Sequence, residues 1–184
     1  MANAGVAPAR DVAQEIERRL PGIGEVKLHK LLYYVQGYHL AWEQSPAFGE
    51  EIEAWELGPV VARLWRNRNN RILDKIGRSS RPASALPESV RDITANVVSR
   101  FGKMSGTDLI KATHTEDPWC QVTDEGQNIA NQVISHQSLV DYFSTEPDWV
   151  RQMREHVAAT RDDTEFVPDP PGALDAVIAK HFPG

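Results

Sequence analysis

Residues 26–42 read VKLHKLLYYVQGYHLAW, and no other stretch restricts the fold of this chain as strongly. Leu28, Leu31, Leu32, Val35, Tyr38 and Trp42 follow the i, i+3, i+4, i+7 spacing of one helical face. Tyr34, Gly37 and Ala41 line a neighbouring face, with Tyr33 and Leu40 close by. A helix apolar around most of its circumference is buried on most sides. The stretch therefore predicts a central helix, from near Gly24 to about Gln44, inside a mainly α, compact single-domain bundle. Gly37 costs about 1 kcal/mol against alanine in mid-helix. A neighbouring backbone packed close to it is the expected compensation.

Around this helix the chain breaks into short pieces. Residues 1–10 read as a loose N-terminal tail. Asp11 and Gln14 have capping-box spacing, and Val12, Ile16 and Leu20 then line one face of a short helix ended by Pro21-Gly22. Residues 50–57 hold β-prone Ile52 and Trp55 among acids and fit a small strand or hairpin. Gly58-Pro59 reads as a helix start, with proline at the first helical position, and Val60, Val61, Leu64 and Trp65 as that helix's apolar edge. Residues 66–85 read as loop-rich. A helix over residues 87–101 shows Val90, Ile93, Val97 and Phe101 on one face, with Gly102 placed to end it. Ser105 and Asp108 repeat the capping-box spacing before Leu109 and Ile110. Residues 114–119, HTEDPW, form a turn with one large anchor, Trp119. A helix over residues 134–143 follows, with Leu139 and Phe143 spaced for burial. Two more helical pieces are expected beyond it, marked by Trp149, Val150, Met153 and Val157, then by Leu174, Val177, Ile178 and Phe182.

Composition narrows the function classes. The 184 residues suffice for one domain with appendages. With 26 acidic against 20 basic residues, the net charge of −6 disfavours nucleic acid as the main partner. A single cysteine cannot form an internal disulfide, the N-terminus has no apolar signal core, and no run approaches a membrane span. A soluble cytoplasmic protein is the consistent expectation.

Catalytic chemistry has little support. Six histidines, His29, His39, His114, His136, His156 and His181, show no metal-ligand spacing, and glycine-rich phosphate loops are absent. No cofactor is implied. His114, Glu116 and Asp117 crowd one turn and are the single acid–base candidate, while Cys120 beside Trp119 lacks an obvious base.

Three motifs, KLHKLLYYVQGYHLAW, EEIEAWELGPVV and HTEDPW, together resemble the Panacea domain family, which is similar to SocA-type and phage-associated GepA-type proteins. The family pattern is a KLQKLLYYAQGWHLA-like helix, an IEAWxxGPVVP-like segment and a later HxExPW-like turn. Lys27, Leu28, Lys30, Gln36 and Gly37, then Trp55, Gly58 and Pro59, then His114, Glu116, Pro118 and Trp119 match it in place. His29 stands where glutamine is usual, and Ala62 where proline is common. The resemblance covers residues 11–145 and leaves 146–184 as a C-terminal extension of unassigned role. It implies a mainly helical fold with a small β element, no catalytic residues, and an antitoxin that binds a toxin encoded beside it. SocA-type proteins act as adaptors delivering the toxin to a Clp-type protease, so that mechanism is the alternative. A hydrolase using His114, Glu116 or Asp117, and a DNA-binding autoregulator, remain as weaker classes.

Leu28, Leu31, Tyr34, Gly37 and Trp119 are expected to be structural. A partner surface is better sought in exposed, irregular segments. Acidic Glu51, Glu53 and Glu56 precede a basic run of Arg63, Arg66, Arg68, Arg71, Lys75, Arg78 and Arg81, opposed only by Asp74. Glu51, Glu53, Glu56, Arg63 and Arg66 are therefore expected to rim a charge-divided contact surface. Trp55 and Trp65 supply aromatic anchors, and Gly58-Pro59 its corner.

Overall fold

The computed structural model describes residues 6–69 and 86–145. The basic positions 71–81 and the two expected C-terminal pieces lie outside the described residues, as do His156 and His181.

Helix α2, Glu25–Glu43, forms the centre, as its apolar circumference requires. Helices α1 (Ala9–Arg19), α4 (Glu88–Phe101), α5 (Gly106–Thr113) and α7 (His136–Ser144) surround it together with strand β2 (Gly58–Val60). Leu28, Leu31, Leu32, Tyr33, Tyr34, Val35 and Tyr38 are all buried. Gln44 ends the helix in the left-handed region, at φ 52°. Gly37 is a close-approach site, but its neighbour is a ring and not a backbone. A Cβ added there would fall inside the Phe143 ring of α7, 2.8 Å from Cζ. Tyr38 and Phe143 meet edge to face at 4.7 Å, and Tyr34 stacks on Phe101 of α4 at 4.0 Å.

Several polar side chains are buried on the same helix and reach specific partners. Lys27 Nζ donates to the Gly102 carbonyl at 2.8 Å. Gln36 Oε1 accepts the Ala47 and Phe48 N–H groups (2.9 and 3.2 Å), and its Nε2 donates to the Phe48 carbonyl (3.1 Å). His39 spans the Ser45 carbonyl (2.6 Å) and Ser89 Oγ (3.1 Å). Hydrogen bonding is the condition on which such groups can be buried without a large penalty.

Helix α1 begins ahead of the Asp11–Gln14 spacing. Pro8 stands at its N-cap without a side-chain cap, and the Ala9 N–H donates to Glu50 Oε2 at 2.8 Å. Ala7 pairs in parallel with Phe48, which ties residues 6–10 to the body. Val12, Ile16 and Leu20 are buried as expected.

Strand β1, Ile52–Trp55, pairs antiparallel with β2 through Glu53↔Val60, Ala54↔Pro59 and Trp55↔Gly58. It also pairs antiparallel with β3, Val133–Ile134, through Ile52↔Ile134 and Glu53↔Val133, so the order is β2-β1-β3. The expectation that Gly58-Pro59 opens a helix is overturned. Gly58 has φ +94°, incompatible with a helical start, and helix α3 begins later, at Ala62–Asn69. Proline is tolerated in β2 because the strand is an edge. Ile134 likewise belongs to a strand and not to the following helix. Gly102 ends α4 as its C-cap, as expected, but in the right-handed region (φ −63°), donating to the Val98 carbonyl at 2.8 Å. The Ser105–Asp108 capping box forms in full. The expected HTEDPW turn runs directly into helix α6, Asp117–Thr123, with Trp119 buried.

Candidate functional site

The three motifs converge on the hairpin. Lys30 Nζ donates to the Pro59 carbonyl at 3.0 Å, and His29 Nδ1 accepts the Val61 N–H at 3.2 Å. Trp119 Nε1 donates to the Trp55 carbonyl at 3.0 Å, and the Tyr34 hydroxyl donates to Glu116 Oε1 at 2.7 Å. His114 stacks on Trp119, centroids 4.1 Å apart, and hydrogen-bonds the Glu56 backbone. Gly58 is needed twice over: its φ is positive, and a Cβ would meet Thr113 Oγ1 at 2.7 Å and Lys30 Cε at 2.9 Å. The central helix, the hairpin and the α5–α6 corner are thereby locked together.

Electrostatics inside this lock follow from burial. Lys30 has its ammonium pushed down from the ordinary 10.5 to about 7, because desolvation penalises the charged form. His114 is also lowered, first by burial and then by Lys30. The Tyr34 hydroxyl is raised far above its usual range by burial and by the Glu116 carboxylate. The acid–base candidates are thus engaged with the scaffold: His114 with Trp119 and Glu56, Glu116 with Tyr34, while exposed Asp117 lies in the first turn of α6. Cys120 Sγ lies 3.2 Å from the His114 carbonyl, and burial followed by nearby acids raises its thiol pKa, the opposite of what activates a nucleophile. Among the described residues no cluster of His, Cys, Asp and Glu could hold a metal ion.

The residues expected at a partner surface fall into two groups. Glu53, Trp55, Trp65 and Arg66 come together on the hairpin and α3. Arg66 Nη2 reaches Glu53 Oε2 at 3.1 Å, Trp55 Nε1 donates to the same oxygen at 2.8 Å, and Trp65 meets Trp55 edge to face at 5.1 Å. Glu51, Glu56 and Arg63 are exposed around them. Gly58 and Pro59 are buried beneath, as is Trp55 at 5% exposure. A second ionic cluster escaped the sequence: Arg68 of α3 bridges Glu17 of α1 (2.6 Å) and Glu25 of α2 (2.8 Å). Sequence reasoning also missed buried Lys27, Lys30, Gln36 and His39; their one signal was a polar side chain in a helix apolar all round.

The family model described as "Antitoxin SocA-like, Panacea domain" matches residues 28–120, which take in all of the three interlocked motifs but Lys27. No curated protein and no solved structure matches the chain. The residues that make the lock are those the family model covers, and the chain belongs to the SocA-like antitoxin family with a Panacea domain.

Proposed function

We propose that this chain is the antitoxin of a toxin–antitoxin pair and neutralises a cognate protein toxin by direct, stoichiometric contact in the cytoplasm. Residues 11–145 act as the Panacea unit and 146–184 as an extension of it. The observation that carries the reading is the use of the family motifs. Their polar groups hold the hairpin onto α2 and the α5–α6 corner, which builds a platform for a contact surface. On that platform Glu53, Arg66 and Trp65, rimmed by Glu51, Glu56 and Arg63, present the charges and the aromatic anchor of a contact surface.

The test is co-expression with the neighbouring reading frame. That frame should be toxic alone and harmless with this chain, and the two products should co-purify in a fixed ratio. Protection should persist in a host lacking Clp protease. Toxin that disappears only when the protease is present would instead establish the adaptor mechanism. Glu116→Gln keeps the acceptor for Tyr34 while removing the carboxylate, and should protect as the wild type does. Loss of protection by a folded Glu116→Gln variant would restore the hydrolase reading.

A further inference from the structure

The two edges of the small sheet are built differently. On the β2 edge Pro59 has no N–H, its carbonyl is taken by Lys30, and the next N–H, of Val61, is taken by His29. That edge is closed by α2. Among the described residues no strand pairs with the outer edge of β3. Ala54 donates its N–H to the Gln132 carbonyl at 2.8 Å, so Glu53↔Val133 is the pair whose flanking residues carry the ladder bonds. In an antiparallel ladder the backbone N–H and C=O of Val133 then point away from β1. Val133 is 45% exposed, and Ile129, four residues before it, is 36% exposed. Val133 stands directly opposite Glu53, so the outer edge continues the surface that carries Glu53 and Arg66.

An exposed edge with apolar side chains is a template for another strand, and natural proteins usually block it with lysine, proline or a covering element. Here residues 112–145 contain no lysine or arginine, and exposed Asp124 and Glu125 flank the run into β3. An acidic, apolar edge repels acidic chain and attracts basic chain.

We infer that the toxin docks by strand addition: an extended segment with apolar side chains and flanking lysine or arginine pairs with the outer edge of β3 at Val133. This rests on the direct-neutralisation reading and specifies its geometry. Main-chain hydrogen bonds supply affinity in this mode, with little demand on side-chain identity.

The experiment uses the full chain and the purified product of the neighbouring reading frame, after its toxicity and suppression have been established. Val133→Pro removes the outward donor while leaving the groups that bond β1 intact. It should weaken binding by about tenfold or more with little change in melting temperature. Val133→Thr, which retains the N–H and β propensity, should bind within about twofold of wild type. In amide exchange the Val133 N–H should exchange rapidly in the free chain and become protected in the complex. Wild-type binding by folded Val133→Pro would overturn the inference while leaving direct neutralisation standing. Strong protection of Val133 in the free chain would also overturn it, because a second copy or another segment of this chain would already hold the edge. Absence of any toxin binding by the wild type would overturn both readings.

Discussion

Lys30 shows how one side chain can carry a consequence for the whole. Its amine is buried completely, with the Pro59 carbonyl as acceptor, and burial lowers its pKa from 10.5 to about 7. Between those two values the unfolded chain binds a proton that the folded chain does not, so stability rises with pH across that window. The largest possible slope is about 1.4 kcal/mol per pH unit. Buried His29 and half-buried His114 are also lowered, so they remove stability as the pH falls below the ordinary histidine value, in the same direction. Tyr33 and Tyr34 are raised and act in the opposite direction, but only above their ordinary value of 10. Urea unfolding at pH 7 and pH 9 should therefore show greater stability at pH 9, and Lys30→Met should flatten the difference. An unchanged slope in that variant would show that Lys30 is not the source. Gly37 gives a second test. Gly37→Leu forces carbon into the space of the Phe143 ring and should destabilise by about 1–3 kcal/mol in a denaturant melt.

Among the elements, the hairpin and the α5–α6 corner are the most dependent on one another. Trp119 fills the corner and supplies the N–H for the Trp55 carbonyl at the end of β1. Trp119→Ala should cost about 3–5 kcal/mol by loss of volume. Trp119→Phe keeps most of the volume and leaves the carbonyl unpaired, so about 1–3 kcal/mol is expected. Equal losses in the two variants, measured by chemical denaturation, would mean that the hydrogen bond and not the packing dominates. Helix α5 was legible at this scale, because both halves of its capping box are local: Ser105 and Asp108 are three residues apart and each side chain bonds the other's backbone N–H. Ser105→Ala should cost about 1 kcal/mol. The β2 strand was not legible. Gly-Pro before an apolar run has the chemistry of a helix start as well as of a strand, and the choice is made by Lys30 and His29, which hold its outer edge.

For the molecule as a whole, the surface formed by Glu53, Arg66 and Trp65 is the testable unit. Charge reversal at both Glu53 and Arg66 should weaken toxin capture, and by more at low salt than at high, since exposed pairs are screened over about 10 Å at 0.1 M salt. Capture at wild-type affinity by the folded double variant, at low salt, would move the surface elsewhere. None of the described helices is long and apolar enough to cross a membrane, in keeping with the apolar surface being spent on the bundle interior.

What the sequence determined by itself was the part written in local spacing. Seventeen residues, 26–42, with apolar side chains on most of the circumference, require a buried central helix, and short capped amphipathic pieces require a bundle around it. The three motifs also marked which segments matter. Only the tertiary structure decided how those segments meet. A two-residue strand such as β3 has no period to read, and it exists because β1 lies beside it. The neighbour of Gly37 is Phe143, over a hundred positions away, and nothing in either local pattern names the other. The buried Lys30, Gln36 and His39 follow the same rule. A polar group can be buried only where a distant partner satisfies it, and that partner is fixed by packing and not by the neighbours in the chain.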